Sequence, residues 1–496
     1  MRASTSVHDL KTLIQSFHPV VVIESVEEER VRDLLVAVAD QTWKTVFEWS
    51  VTRGLVPLAE PVPVPGTVDP SRLLLHLDGL RIEGIFLLKD LARHLEDAKV
   101  ARLFRETAQG LMRRGSTMVL VGSPVSLPRE IEQEAIRYEL AMPDRDELLR
   151  AVNSVIQSIQ TRQRFVNKLT DAGWEQLLEG LQGLTLNQAR QVVAGAILND
   201  QYLTPEDVRF VQQQKSQLIR EGGILEYYPV DDNRFELGGF GRLKAWLERA
   251  AVGFSPEAAK LNLSPPRGIL IVGVPGCGKS LAAKVIARVW ELPLLKLDAG
   301  RLFDKFIGES EKNFRKAIDF AEAMAPAVLW IDEIEKALVA SGSSESDGGL
   351  SRRLFGAFLT WLQEKRQEVF VVATANNLGA MPPELLRKGR FDEIFFVDLP
   401  TAEEREAILK IHLALRKQDP QSFDLAKIVA VCDGFSGAEI EQAVIAGCYR
   451  ALARKRSPDT ATILEEIGQT VPLSVTRRED VEQLRELAKD RFVPVR

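Results

Sequence analysis

Short apolar runs separated by longer stretches of helical periodicity set the rhythm of the C-terminal half. Gly268 to Val272 is apolar throughout, the pattern of a strand buried on both faces of a parallel sheet. Ser280 to Trp290 carries helical spacing. Ala327 to Ile331, Val369 to Ala373 and Phe395 to Val397 read as three more strands, and from Thr401 onward the pattern is helical only. These positions predict an α/β core followed by a helical tail. The N-terminal half repeats the order. Pro19 to Ile23, Gly84 to Leu88 and Thr117 to Gly122 are its apolar runs. Arg137 to Pro143 opens into a helical pattern as Glu393 to Pro400 does, and Leu184 to Ala189 stands where Phe435 to Ile440 stands.

Three stretches interrupt the pattern. Pro57, Pro61, Pro63, Pro65 and Pro70 make a stiff loop inside a domain or a hinge. Gly222 to Gly241 reads as an inter-domain linker. Ser341 to Gly349, built of Ser, Gly and acids, reads as a mobile surface loop.

Composition narrows the class. A chain of 496 residues fits about three folding units. Its 45% hydrophobic and 27% charged content is ordinary for globular domains. A net charge of −6 disfavours a general nucleic-acid coat, so no nucleic-acid partner is expected. Cys277, Cys432 and Cys448 are too few for a disulfide framework and fit a reducing compartment. Met1 to Leu10 lacks the apolar core of a secretory signal, and no apolar run nears the roughly 20 residues of a membrane span, so no transmembrane segment is expected. None of the five histidines sits in an H-E-x-x-H pair, which argues against a zinc peptidase.

The chemistry lies in two segments. Gly273-Val274-Pro275-Gly276-Cys277-Gly278-Lys279-Ser280 fits G-x-x-x-x-G-K-[ST] between a strand and a helix, the context of a phosphate loop. Glycines let backbone N–H groups close around phosphate oxygens at a helix N-terminus. Lys279 would reach the β and γ phosphates, and Ser280 would place its hydroxyl on Mg²⁺. Downstream, Ala327 to Ile331 delivers Asp332 and Glu333 to the carboxyl end of a strand, where ligands bind in open α/β sheets. Asp332 would hold Mg²⁺ through its water shell, and Glu333 would polarise the attacking water. Cys277, beside these N–H groups, is either a small residue that fits the loop or a thiol made reactive by its electropositive setting.

With these motifs in order, Phe235 to about Arg456 resembles an AAA ATPase module. The resemblance implies a P-loop α/β domain with a helical lid, ATP and Mg²⁺ as ligands, and ATP hydrolysis. It places Leu237 and Gly238, in Glu236-Leu237-Gly238-Gly239, against adenine, and Pro275, Gly276, Cys277, Gly278, Lys279, Ser280 and Leu281 around the phosphates. Asn376 matches the sensor-1 residue that orients the lytic water. Arg387 and Arg390 match arginine fingers that reach a neighbouring subunit's γ-phosphate. Ile408 and His412 match residues flanking base and ribose, and Gly437-Ala438 the small-residue sensor-2 variant. Lys305-Phe306-Ile307 matches the aromatic pore loop of AAA translocases. Plainer readings stand beside these: Asn376 as a turn residue, Arg387 and Arg390 as solvated charges, His412 as a core histidine, Phe306 packed on its own domain.

The N-terminal half carries the same layout with the chemistry removed. Glu24-Ser25-Val26-Glu27-Glu28-Glu29 follows its first strand with no glycine and no lysine, and Lys89 and Asp90 take the places of Asp332 and Glu333. The expected layout is a degenerate AAA-like α/β domain (1–143) with its own helical lid (144–220), then the AAA α/β domain (221–400) and a helical lid (401–496). A nucleotide-dead module before a live one resembles the cyanobacterial and plastid AAA family called hypothetical chloroplast reading frame forty-six. That resemblance implies a cytoplasmic protein, or a stromal one if plastid-encoded, linked to photosynthetic organisms and inorganic-carbon use. It implies a homo-oligomeric ring, expected to be a hexamer, acting on a protein or peptide. The alternative is an ATP-gated regulatory binding protein that assembles without threading a substrate.

Overall fold

The structure is a computed structural model. It describes residues 5–161, 164, 166–221, 224–228, 237–298, 309–336, 348–365, 367–379, 381–382, 384–387, 389–489 and 491–496. Lys305, Phe306 and Ile307 lie outside the described residues, as does most of 341–349. Two compact units emerge, residues 1–167 with 184–202 and residues 168–183 with 203–496.

In the first unit, Val20, Val21, Val22 and Ile23 are all buried in β1 (Val20–Glu24). Val20 and Val22 enter one apolar cluster with Phe47, Phe86 and Phe104, while Val21 and Ile23 enter another with Leu35 and Val119. The period of two thus buries both sheet faces, which is why the run carries no polar residue. The other strands are β2 (Thr45–Ser50), β3 (Gly54–Pro57), β4 (Gly84–Lys89), β5 (Thr117–Gly122) and β6 (Ala135–Tyr138). Their order is β3-β2-β4-β5-β1-β6, parallel throughout except for β3 against β2. The proline-rich stretch is a loop inside this unit. The Thr67 hydroxyl accepts from Leu55 N (2.8 Å) and donates to Val64 O (2.7 Å), and Trp49 Nε1 donates to Thr67 O (2.6 Å).

The second unit contains β7 (Leu225–Tyr228), β8 (Gly268–Gly273), β9 (Leu294–Leu297), β10 (Ala327–Ile331), β11 (Val369–Ala375), β12 (Glu393–Val397) and β13 (Val493–Pro494). Their order is β13-β12-β8-β11-β10-β9-β7, with only β7 antiparallel. Setting aside β3, β7 and β13, both sheets follow one path: fifth, first, fourth, third, second parallel strand. The repeat legible in the sequence is therefore a repeat of topology.

Two expectations need correction. Part of the supposed linker is a strand: Leu225 and Tyr227 are buried by period-two alternation, and β7 pairs with β9. The chain after Thr401 is not helical throughout. Helices Ala402–Leu415, Leu425–Val431, Gly437–Ala453 and Thr460–Gln469 build a lid around Leu413, Ile428, Ile440 and Ile463. Helix Arg478–Ala488 instead sends Val481 and Leu484 into the cores that flank the sheet, and β13 pairs with β12. Among the described residues, no helix is long and apolar enough to cross a membrane.

Candidate functional site

Strand β8 delivers the chain to Gly273, whose φ is 149° and where a Cβ would lie 1.9 Å from Val397 O. Only glycine fits so close to the neighbouring strand. Gly276 and Gly278 also have positive φ, 74° and 91°. Helix Lys279–Val289 starts at Gly278 with no side-chain cap, leaving its first N–H groups to face a ligand. Lys279 is buried and donates from Nζ to Gly273 O and Val274 O, both at 2.8 Å. Burial pulls its pKa down to about 8 against nearby acids that favour the charge.

The acid segment meets this loop. Asp332 Oδ1 accepts from Ser280 Oγ at 3.0 Å and from Thr374 Oγ1 at 2.5 Å. The same Thr374 oxygen accepts from Glu333 N at 3.1 Å, steadying a residue with φ 49°. Asn376 Nδ2 donates to Glu333 Oε1 at 2.9 Å, and Lys336 pairs with the other Glu333 oxygen. Glu335 Oε1 accepts from Asn376 N at 2.8 Å, while its second oxygen is buried without a side-chain hydrogen-bond partner among the described residues, and burial raises its pKa. A hydroxyl and a carboxylate meeting at Ser280–Asp332 are hard oxygen donors, a set that fits Mg²⁺ retaining several waters.

A second wall closes on the loop from the lid. Ala438 N donates to Gly276 O at 2.9 Å, and a Cβ on Gly276 would stand 3.2 Å from Ala438 Cβ. A Cβ on Gly437 would stand 3.4 Å from Gly276 O, and one on Gly238 3.1 Å from Ile408 Cγ1. Leu237 lies 3.4 Å from the corresponding position on Gly278, and Leu281 packs on the cluster that holds Leu237 and Cys277. Pro275 O is the contact of Cys277 Sγ, at 3.8 Å. His412 faces the end of its own helix and helix Gly437–Ala453: Nδ1 lies 3.3 Å from Arg416 Nη1 and 3.5 Å from Glu441 Oε1, and burial lowers its pKa. Arg387 is exposed and Arg390 donates to Leu359 O at 3.1 Å. Neither has a described bond to the phosphate loop of its own chain.

The reactive-thiol expectation for Cys277 is overturned. The side chain is buried and desolvation, the dominant effect, pushes its pKa up to about 12 despite Lys279. Sequence reasoning also passed over Thr374 and Glu335. Thr374 lies two residues before Asn376, hence on the same strand face, and that spacing was the available signal.

The equivalent positions of the first sheet hold a different arrangement. Asp90, after β4, has φ 54°, close to Glu333 after β10. Lys89 Nζ sits 3.1 Å from Glu28 Oε2 and 2.6 Å from Glu48 Oε1. Burial opposes its charge, but the bonds to both glutamates prevail and its pKa is raised. Arg30 makes a two-pronged bond to Glu147 (3.0 and 2.9 Å), donates to Ala141 O (2.7 Å) and lies 3.4 Å from Glu27. The other Glu27 oxygen accepts from Leu186 N at 2.6 Å.

Comparison with known proteins accounts for both halves. Residues 269–399 match the ATPase family associated with various cellular activities (AAA). Residues 6–140 match the SpoVK-like AAA ATPase N-terminal domain, and 146–222 its second domain. The AAA domain-containing protein ycf46 of Guillardia theta is 37% identical over 488 residues, 97% of this chain and 94% of that protein. The chain belongs to this AAA family. The ycf46 proteins of Trieres chinensis and Pyropia yezoensis are 34% and 35% identical, covering 94% and 97% of the chain and 93% and 97% of their own lengths. In this chain one sheet is flanked by Lys279, Asp332 and Glu333, and the other carries Lys89 at the matching strand end.

Proposed function

We propose that the chain is an ATP-hydrolysing AAA mechanoenzyme that assembles as a hexameric ring and remodels a protein or peptide. The observation that carries this reading is the bonded series Ser280–Asp332–Thr374–Glu333–Asn376 beside an uncapped helix N-terminus. The N–H groups of Gly276, Cys277 and Gly278 receive phosphate oxygens, and the Lys279 amine exchanges its two carbonyls for the β and γ phosphates. Ser280 and Asp332 hold Mg²⁺, which neutralises phosphate charge when bound. Glu333 aligns and polarises the attacking water, and Asn376 fixes the Glu333 carboxylate through its amide. Leu237, Gly238 and Ile408 enclose the base, with Gly437 and Ala438 over the loop. Arg387 and Arg390 act on the next subunit's nucleotide, a role that requires a ring.

The test is Glu333→Gln, which keeps the shape of the site and removes the charge that polarises water. ATP should still bind while turnover falls about 10²- to 10⁴-fold, and particle images with ATP should show closed rings. Unimpaired turnover would remove Glu333 from this role.

A further inference from the structure

The segment covering the base is propped from behind by the residues that follow the last helix. Strand β13 adds to the edge of β12, and Val495 N continues the ladder by donating to Phe396 O at 3.1 Å. The Val495 side chain is buried in the cluster that contains Leu237, Phe240, Val274 and Cys277. Its carbonyl accepts from Arg242 N (2.9 Å) and Leu243 N (3.4 Å). These are early donors of helix Gly241–Ala251, which starts at Phe240 with φ 63° and no side-chain cap. Val495 therefore supplies the cap that the helix lacks.

Arg496 extends the support across the core–lid junction. Its Nη1 donates to Leu399 O at 3.2 Å and lies 3.5 Å from Glu404 Oε2, and its Nη2 lies 3.7 Å from Asp398 Oδ2. Asp398 and Leu399 close the core, and Glu404 is in the first turn of lid helix Ala402–Leu415, where it also accepts from Thr401 N at 2.9 Å. Glu404 in turn abuts the base segment. Gly239 has φ 80°, and a Cβ there would fall 2.6 Å from Glu404 Oε1.

We propose that Arg496 is a positioning residue for the nucleotide, holding Glu404 against Gly239 so that Leu237–Phe240 and the lid close on the base together. The proposal rests on the ATP-binding reading above. Losing the guanidinium leaves Glu404 held, among the described residues, by the Thr401 N–H alone, whereas Asp398 keeps Arg485, whose Nη2 is 2.9 Å away. The side chain is partly solvated, so the effect is modest and falls on affinity. Lysine retains the charge without the fork that reaches two acids and a carbonyl at once.

The experiment compares the unaltered chain with Arg496→Ala, Arg496→Lys and Arg485→Ala by titration with fluorescent ADP and by ATPase kinetics. Arg496→Ala should raise Kd and KM roughly three- to fivefold, with kcat within about twofold. Arg496→Lys should fall between, and Arg485→Ala should leave Kd unchanged. Normal binding by the unaltered chain with the same Kd in Arg496→Ala overturns this inference alone. An equal effect of Arg485→Ala overturns the route through Glu404. Absence of nucleotide binding by the unaltered chain overturns the ATP-binding reading, and this inference with it.

Discussion

Lys215 is fully buried on helix Pro205–Glu221, with its ammonium 5.1 Å from the centre of the Tyr227 ring and no hydrogen-bond partner among the described residues. Burial alone drives its pKa down to about 7. In the unfolded chain the amine titrates near about 10.4. Between those values the unfolded chain holds the extra proton, so stability rises with pH. Below about pH 7 both states are charged and the penalty is complete. Lys215→Met should therefore stabilise the fold at pH 7 by a few kcal/mol, at about 1.4 kcal/mol per pKa unit, and so raise the melting temperature there and flatten its climb between pH 7 and 10. An unchanged slope in thermal melts would show that this amine does not titrate there. The same scale separates what the sequence reveals from what it hides. Gly273 to Ser280 is one contiguous stretch whose spacing states its geometry. The meeting of Gly239, Glu404 and Arg496 is assembled by folding alone, and Cys277 misled because proximity to N–H groups was visible while burial was not.

At the scale of elements, long apolar runs were legible because both sheet faces bury them. The short edge strands β7 and β13 were not, since two to four residues are too few for an alternation to stand out in the sequence, and they are ordered by the neighbour they pair with. The helices of the first unit are joined by a device with no equivalent in the motif. Arg30 on helix Glu28–Thr42 binds Glu147 on helix Arg145–Gln160, and Glu27 takes the Leu186 N–H at the start of helix Leu186–Asp200. In the second unit a backbone bond from Ala438 N to Gly276 O joins the lid to the phosphate loop at the matching place. Arg30→Met would take the cation from buried Glu27 and half-buried Glu147, a loss of up to about 3–5 kcal/mol when one partner of a buried pair is removed. Hydrogen exchange over 145–160 and 186–200 should accelerate by the same margin with or without ATP. Unchanged protection would mean that apolar packing alone holds these helices.

For the whole molecule, two sheets of one topology and opposite charge at the matching strand end predict one nucleotide per chain. Titration with labelled ATP should saturate at one equivalent and fail in Lys279→Ala; a second equivalent, or stoichiometric binding that survives the change, would make the first sheet a live site. Lys89, paired with Glu28 and Glu48, carries a further consequence. A metal ion can be stripped by a chelator and a nucleotide can be diluted away, but an ammonium attached to the backbone cannot leave. On the proposed function, the first half of the protein carries the Lys89 counterion of Glu28 and Glu48 in its own chain whatever the supply of magnesium and adenylate, while its twin takes its ligands from solution at every cycle.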